Sequence, residues 1–280
     1  MSQVFGYLCS DDSLTAEVMK QEGAPLQAIL PEDRVGMGIG WLQEGRSLLR
    51  KHPKRKAAEV DIRALVGDVP TRALVGHIRH KDLGKAGTNR LQPYRFRNWV
   101  YAQCGGGEGL EEASDALRAS VPDHVRRNIQ GASMAELVFH IFYTKVESSL
   151  SITPKNDWPR LYAEKLGETM SELEALSRQV GEKMGTLVAV AVSDRCMAAS
   201  RIGEPLHYRL IEGIEEPKEK PLFAGHRPKR ITHDKFRALL VANRIDEENW
   251  VEVPDRHVLW VDSNWEIEFE PIAGSETSAQ

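Results

Sequence analysis

Ser2 is the residue of this chain best suited to nucleophilic chemistry. If Met1 is removed, as a small second residue usually permits, one residue carries both a hydroxyl and a free α-amino group. An α-amino group has a pKa near ~8, so it is partly neutral at pH 7 and can take a proton. A side-chain nucleophile served by its own amino group is an established catalytic arrangement. Arg79 offers a planar fork suited to a carboxylate, or to pairing with a buried acid. The three cysteines, Cys9, Cys104 and Cys196, are odd in number and show no CxxC spacing. Cys104 therefore reads as a small buried hydrophobe before it reads as a reactive thiol. His77 and His80 stand three apart on a strand-like run and so fall on opposite faces, which argues against a metal pair. No residue set calls for a cofactor: GxGxxG, P-loop and GxSxG signatures are all missing.

The elements that must carry these residues alternate in type along the chain. The run Met1 to Leu8 opens the chain as a strand that stops at the polar cluster Ser10-Asp-Asp-Ser13. Val35 to Leu42 reads as a strand whose alternating glycines admit another backbone at close range. Arg72 to His80 and Asn98 to Cys104 are further strands, with turn-rich links filling the rest of the first half. Helices are expected over Glu111–Ala119, Ser133–Val146 and Trp158–Met184, the last with a break. Strands return over 186–192, 196–201, 207–211, 237–241, 250–253, 258–261 and 265–269. Strands, then helices, then strands suggest layered sheets with helices outside, not βαβ units. We divide the chain into one domain over 2–272 and a frayed tail over 273–280.

Composition narrows the function classes. The 280 residues include 41% hydrophobic and 28% charged types, which suits a soluble globular protein. A net charge of -4 gives no electrostatic case for nucleic acid, and the basic runs Arg50–Lys56 and His226–Arg230 read as solvated loops. No apolar run approaches the ~20 residues that span a bilayer, and no signal peptide is evident. A reducing cytoplasm is the simplest compartment for these cysteines. A protein partner or a homo-oligomer is compatible with this composition.

Five segments, in order, resemble the class II glutamine amidotransferases, most of all the short stand-alone bacterial branch. They are Ser2-Gln-Val-Phe-Gly-Tyr-Leu, Gly36-Met-Gly-Ile-Gly-Trp41, Leu74-Val-Gly-His-Ile-Arg79, Leu91-Gln-Pro-Tyr94 with Arg97-Asn-Trp-Val-Tyr-Ala102, and Leu240-Val-Ala-Asn243 with Trp250-Val-Glu-Val-Pro254. The resemblance covers roughly residues 1–270 and implies an α/β (α+β) fold, the four-layer αββα N-terminal-nucleophile sandwich of two antiparallel sheets. It also implies an N-terminal Cys attacking the glutamine amide, an Asn-Gly oxyanion hole, an Arg on the carboxylate and an Asp on the ammonium.

Matched position by position, the frame is kept and the chemistry is altered. Ser2 stands at the nucleophile position. Cys104 replaces the oxyanion Asn, beside a retained Gly105. A thiol is a weak donor, and losing one oxyanion donor typically costs ~10²–10³ in rate. Met134 replaces the ammonium-binding Asp, and a thioether cannot balance a cation. Arg79 is the retained substrate-gripping residue. Two readings follow. One is a pseudoenzyme that uses Ser2, Arg79, Cys104, Gly105 and Met134 to bind a small carboxylate or amide ligand. The other is an active N-terminal serine amidohydrolase whose amide substrate lacks a free amino group.

Overall fold

The structure, a computed structural model, describes residues 2–30, 34–56, 59–80, 91–106, 114–130, 133–193, 196–217 and 230–273. The strands are β1 (Gln3–Cys9), β2 (Arg34–Gln43), β3 (Arg46–Lys56), β4 (Ala73–His80), β5 (Tyr94–Phe96), β6 (Trp99–Gly105), β7 (Leu187–Ser193), β8 (Cys196–Ile202), β9 (Leu206–Pro217), β10 (Arg230–Asn243), β11 (Val251–Glu252), β12 (His257–Val261) and β13 (Ile267–Pro271). A seven-stranded sheet runs β11-β9-β10-β1-β4-β2-β3 and a six-stranded sheet runs β13-β12-β8-β7-β6-β5. The strand pairs described are antiparallel.

Three apolar clusters separate four layers. Val4, Leu8, Val75, Val100, Ala102, Val190 and Val241 fill the space between the sheets. Phe5, Tyr7 and Cys9, one residue out of phase, face outward with Val18, Leu26 and Ile62. These last belong to α1 (Thr15–Glu22), α2 (Ala24–Ala28) and α3 (Ile62–Gly67), which cover the seven-stranded sheet. The other sheet packs Trp99, Tyr101 and Ala189 under α4 (Ser114–Ser120), α5 (Asp123–Arg126), α6 (Met134–Leu150) and α7 (Trp158–Gln179). Side chains alternate across a strand, so a strand in an inner layer is apolar on both faces. That is why β1 reads as an unbroken apolar run.

The four-layer expectation holds, with local corrections. Helices α1–α3 lie in a half of the chain that reads as strands and turns. Their caps are nonetheless in the sequence. Asp11 accepts from Ser13 N at 3.0 Å ahead of α1, and Asp61 accepts from Ala64 N at 3.1 Å at the start of α3. The basic run 50–56 is not a loop but part of β3, the outermost strand of its sheet. Charge and proline suit such an edge because they block pairing with another chain. The final long helix ends at Gln179 rather than Met184; Gly181, at φ +82, ends the turn that follows. Residues 111–113, 226–229 and 274–280 lie outside the described residues. In β2 the expected close approach is present: a Cβ at Gly38 would overlap the Gln92 carbonyl oxygen.

Candidate functional site

Ser2 immediately precedes β1, a central strand of its sheet. The β1–β4 register pairs Gln3 with Ile78 and Val4 with His77, so one further step sets Ser2 beside Arg79. Ser2 shares the inward face of Val4, which belongs to the core between the sheets. Cys104, on β6 of the opposite sheet, enters the same core beside Ala102. There the Ser2 hydroxyl lies close enough to the Cys104 sulfur to favour its thiolate. Two positions 102 residues apart in sequence are thus brought together, while Ser2 stays half-exposed.

Electrostatics hold that thiol neutral. Burial pushes Cys104 up to about 12, and donation from Ser2 offsets this in part. Glu204 raises it further and Arg244 lowers it, which places both groups near the sulfur. Behind the thiol the backbone is tightly fixed. Gly105 has φ +92, a Cβ there would overlap the Thr186 carbonyl oxygen, and Gly106 N donates to that oxygen at 2.9 Å. Gly105 itself is exposed.

Residues that the sequence reading did not single out complete the surroundings of Ser2. Asn243, fully buried at the end of β10, accepts from Val4 N at 2.8 Å through Oδ1. That bond takes over where the β1–β10 ladder stops, since the last backbone pair is Phe5 with Ala242. The Asn243 amide faces Glu204 Oε1 at 3.4 Å, and Arg244 Nε donates to the same oxygen at 2.6 Å. An asparagine ending the apolar run Leu239–Ala242 is the sequence signal that could have found it.

On the Arg79 side lies His77, 2% exposed on the inward face of β4. Its Nε2 is 3.4 Å from Gln92 Nε2, and its Nδ1 has no hydrogen-bond partner among the described residues. Burial first, then the cations of Arg79 and Lys51, hold His77 down at about 3. Gln92 is fixed in turn: its Nε2 donates to Gln103 O at 2.8 Å and its Oε1 accepts from Gln103 N at 2.7 Å. Met134 opens α6 and packs against the outer core. The nearby Glu136 is buried and accepts from Gln130 N at 2.9 Å.

Ser2, Cys104 and Arg79 thus share one end of the inter-sheet core. Gly105 borders it from β6, and Met134 stands at a helix start on the far side of the six-stranded sheet. The expected separation of His77 from His80 is half visible, because the His80 side chain lies outside the described residues. Among the described residues no group of three or more metal-ligating side chains assembles. No helix among them is long and apolar enough to cross a membrane. Surface clefts beside Arg72, beside Asn98, beside Asp61 and beside His233 are lined by other residues.

No protein-family model and no curated protein sequence matches this chain. Solved structures do. A glutamine aminotransferase class-II domain protein from Silicibacter pomeroyi superposes with a TM-score of 0.59 at 14% identity, over 97% of this chain and 99% of that one. A glutamine phosphoribosylpyrophosphate amidotransferase from B. subtilis gives 0.58 at 13% identity, over 98% of this chain and 50% of that one. A predicted glutamine amidotransferase from Pseudomonas aeruginosa gives 0.52 at 14%, over 95% and 98%. The two packed antiparallel sheets between helical layers are therefore the class II glutamine amidotransferase fold.

Proposed function

We propose that residues 2–272 form a single amidotransferase-like domain that is impaired for glutamine hydrolysis and binds a small carboxylate in a ligand-binding or regulatory role. The observation that carries this reading is the partner of Ser2. Its hydroxyl meets a thiol held neutral by burial, not an amide donor. A serine hydroxyl needs more help from a base than a thiol does, and its acyl intermediate needs strong donors. His77, the nearest imidazole along β4, is too weak a base at about 3 to assist near neutral pH. Arg79 keeps the means to hold a carboxylate through its bidentate fork. At the position where the resemblance implies an ammonium-binding acid the chain has the neutral Met134, which suits a ligand without a free amino group.

Ammonia release from glutamine, followed with a coupled dehydrogenase, should stay at the level of the buffer blank. Glutaramate, which has the amide and carboxylate of glutamine without its amino group, should bind by calorimetry without turnover. Arg79→Met should weaken that binding at least about 10-fold, as expected for a lost charge-assisted contact. Release of ammonia from either compound, abolished by Ser2→Ala, would overturn the impaired reading in favour of a serine amidohydrolase.

A further inference from the structure

The cleft beside Asn98 lies away from Ser2. Leu8 pairs with Ala73, Leu74 with Trp41, and Leu42 with Ser47, so Ser47 on β3 stands at the Leu8 end of the sheet. At about 3.3 Å per residue, the stretch from Ser2 to Leu8 sets that end about 20 Å from Ser2 along the strand. The cleft holds about 760 Å³ and is lined by three arginines, Arg46, Arg95 and Arg97, with no acidic side chain among the lining residues. Glu44, the nearest acid in sequence, lines the cleft beside Arg72 instead. β3 and β5 are each the last strand of their sheet, and Ser47 clasps the two together. Its hydroxyl donates to Arg97 O at 2.5 Å, and its carbonyl accepts from Arg95 Nη1. Arg46 and Arg95 therefore project from paired strands rather than from loops.

The three charges are not equivalent. Arg97, in the two-residue turn from β5 to β6, has φ +50, a conformation that Gly or Asn adopts more easily. Its fork is taken up by the scaffold: Nη1 donates to Glu147 Oε1 at 2.7 Å, and the guanidinium lies 5.7 Å from the centres of the Phe96 and Tyr143 rings. Arg95 uses one of its five N–H donors on the Ser47 carbonyl. The exposed Arg46 side chain makes no hydrogen bond or ion pair among the described residues. Arg46 and Arg95 thus converge on one serine, and no described carboxylate offsets their repulsion. The half-buried Phe96 and Leu48 add an apolar wall to the same cleft.

We infer that Arg46 and Arg95 form a second binding site, for the phosphate group of a small phosphate monoester whose apolar body rests on Phe96 and Leu48. Guanidinium forks match phosphate oxygens in pairs. A monoester gains its second charge near pH 6, so at neutral pH one dianion matches the two arginines that lack a carboxylate. The net charge of -4 disfavours a nucleic acid as the source of that phosphate.

Phenyl phosphate is the probe. Calorimetry on the full chain at pH 7.5 and fixed ionic strength should give a Kd of about 1 mM or tighter. Arg46→Gln, at an exposed position where folding is not at stake, should weaken binding about 10-fold or more, as expected for one lost charge-assisted contact. Arg95→Gln should do the same. Arg50→Gln removes an exposed arginine of the same strand that lines a different cleft, and should change the Kd by less than about 2-fold. No binding up to about 10 mM probe would overturn the site. Full affinity in Arg46→Gln would place the anion elsewhere, and an equal loss in Arg50→Gln would reduce the site to a diffuse field; either result overturns the assignment.

Discussion

Cys9 and Cys104 are two buried thiols near opposite ends of the first strand, and their difference lies in their partners. Both are almost fully enclosed, at 3% and 6% exposure. Burial raises both, to about 11 and about 12. Cys9 sits on the outward face and donates to fixed backbone carbonyls, Asp11 O at 3.4 Å and Thr71 O at 3.6 Å. Nearby, Tyr7 donates to Thr15 Oγ1 at 3.4 Å, and Thr15 donates to Asp12 O at 2.9 Å. That end of the strand is a closed structural knot. Cys104 meets a half-exposed hydroxyl instead, beside Arg79 and a buried asparagine that ties down the strand. Burial sets the protonation of both sulfurs. The partner decides whether the sulfur serves the architecture or the site.

The contrast breaks most visibly at the backbone behind each thiol. Ser10 follows Cys9, and its hydroxyl simply accepts from Arg237 N at 3.0 Å. Gly105 follows Cys104 at φ +92, against the Thr186 carbonyl. Gly105→Ala should cost ~3 kcal/mol or more, because left-handed strain adds to an overlap with backbone that cannot move aside. Ser10→Ala should cost ~1 kcal/mol, the worth of one hydrogen bond. Urea denaturation measures both. Similar losses at the two positions would mean the Cys104 side is no more rigidly built than the Cys9 side.

The next effect is pH dependence on the site side. His77 is held at about 3 in the folded protein, against about 6.5 when unfolded. The unfolded chain therefore binds the extra proton first, and stability is lost as pH falls from about 6.5 toward 3. One such proton is worth ~1.4 kcal/mol per pH unit well inside that window, or ~2 kcal/mol between pH 6.5 and 5. His140 and His207 are also lowered, burial being the main cause, and add a background of the same sign. His77→Gln should flatten the curve by about one proton while leaving that background. An unchanged slope from pH 6.5 to 5 would place His77 in a more solvated setting.

Much of this architecture was legible because its strands repeat simple patterns. The apolar run of β1 and the glycines of β2 mark inner-layer strands, where both faces are buried or another backbone comes close. The short helices α1–α3 were not legible, since Ala24–Ala28 and Ile62–Gly67 span too few residues to show a helical period. The basic stretch in β3 misled for a physical reason: an edge strand needs charge where a central strand needs apolar side chains. In the site, single positions such as Arg79 and Cys104 could be nominated from motifs. The meeting of Cys104 with Ser2 depends on how two sheets face each other, and that of Arg79 on the pairing of β1 with β4; no local pattern encodes either. Asn243 stands in a quoted motif, but its bond to Val4 depends on the pairing of β1 with β10.

Trimming the two sulfurs should give a smaller difference. Cys9→Ala removes a core atom group with two carbonyl contacts and should cost ~1–2 kcal/mol. Cys104→Ala removes a sulfur whose partner can turn to water, and should cost ~1 kcal/mol or less. Equal melting shifts would erase the distinction between a structural and a site thiol.

Ser2→Ala carries the smallest stability change, within ~0.5 kcal/mol, because Ser2 is half-exposed and precedes the ladder. Its value lies in a sign. If the hydroxyl were a lid over the sulfur, removing it would speed alkylation of Cys104. As a donor, it favours the thiolate, so its removal makes the reactive form rarer still. At pH 8 thiols at about 11 and about 12 already have thiolate fractions of ~10⁻³ and ~10⁻⁴. Alkylation mapped by mass spectrometry should therefore find the half-buried Cys196 modified first, then Cys9, then Cys104. In Ser2→Ala the rate at Cys104 should fall several-fold while the rate at Cys9 is unchanged. A faster Cys104 would make Ser2 a cover over the sulfur and remove the donor role on which the contrast between the two thiols depends.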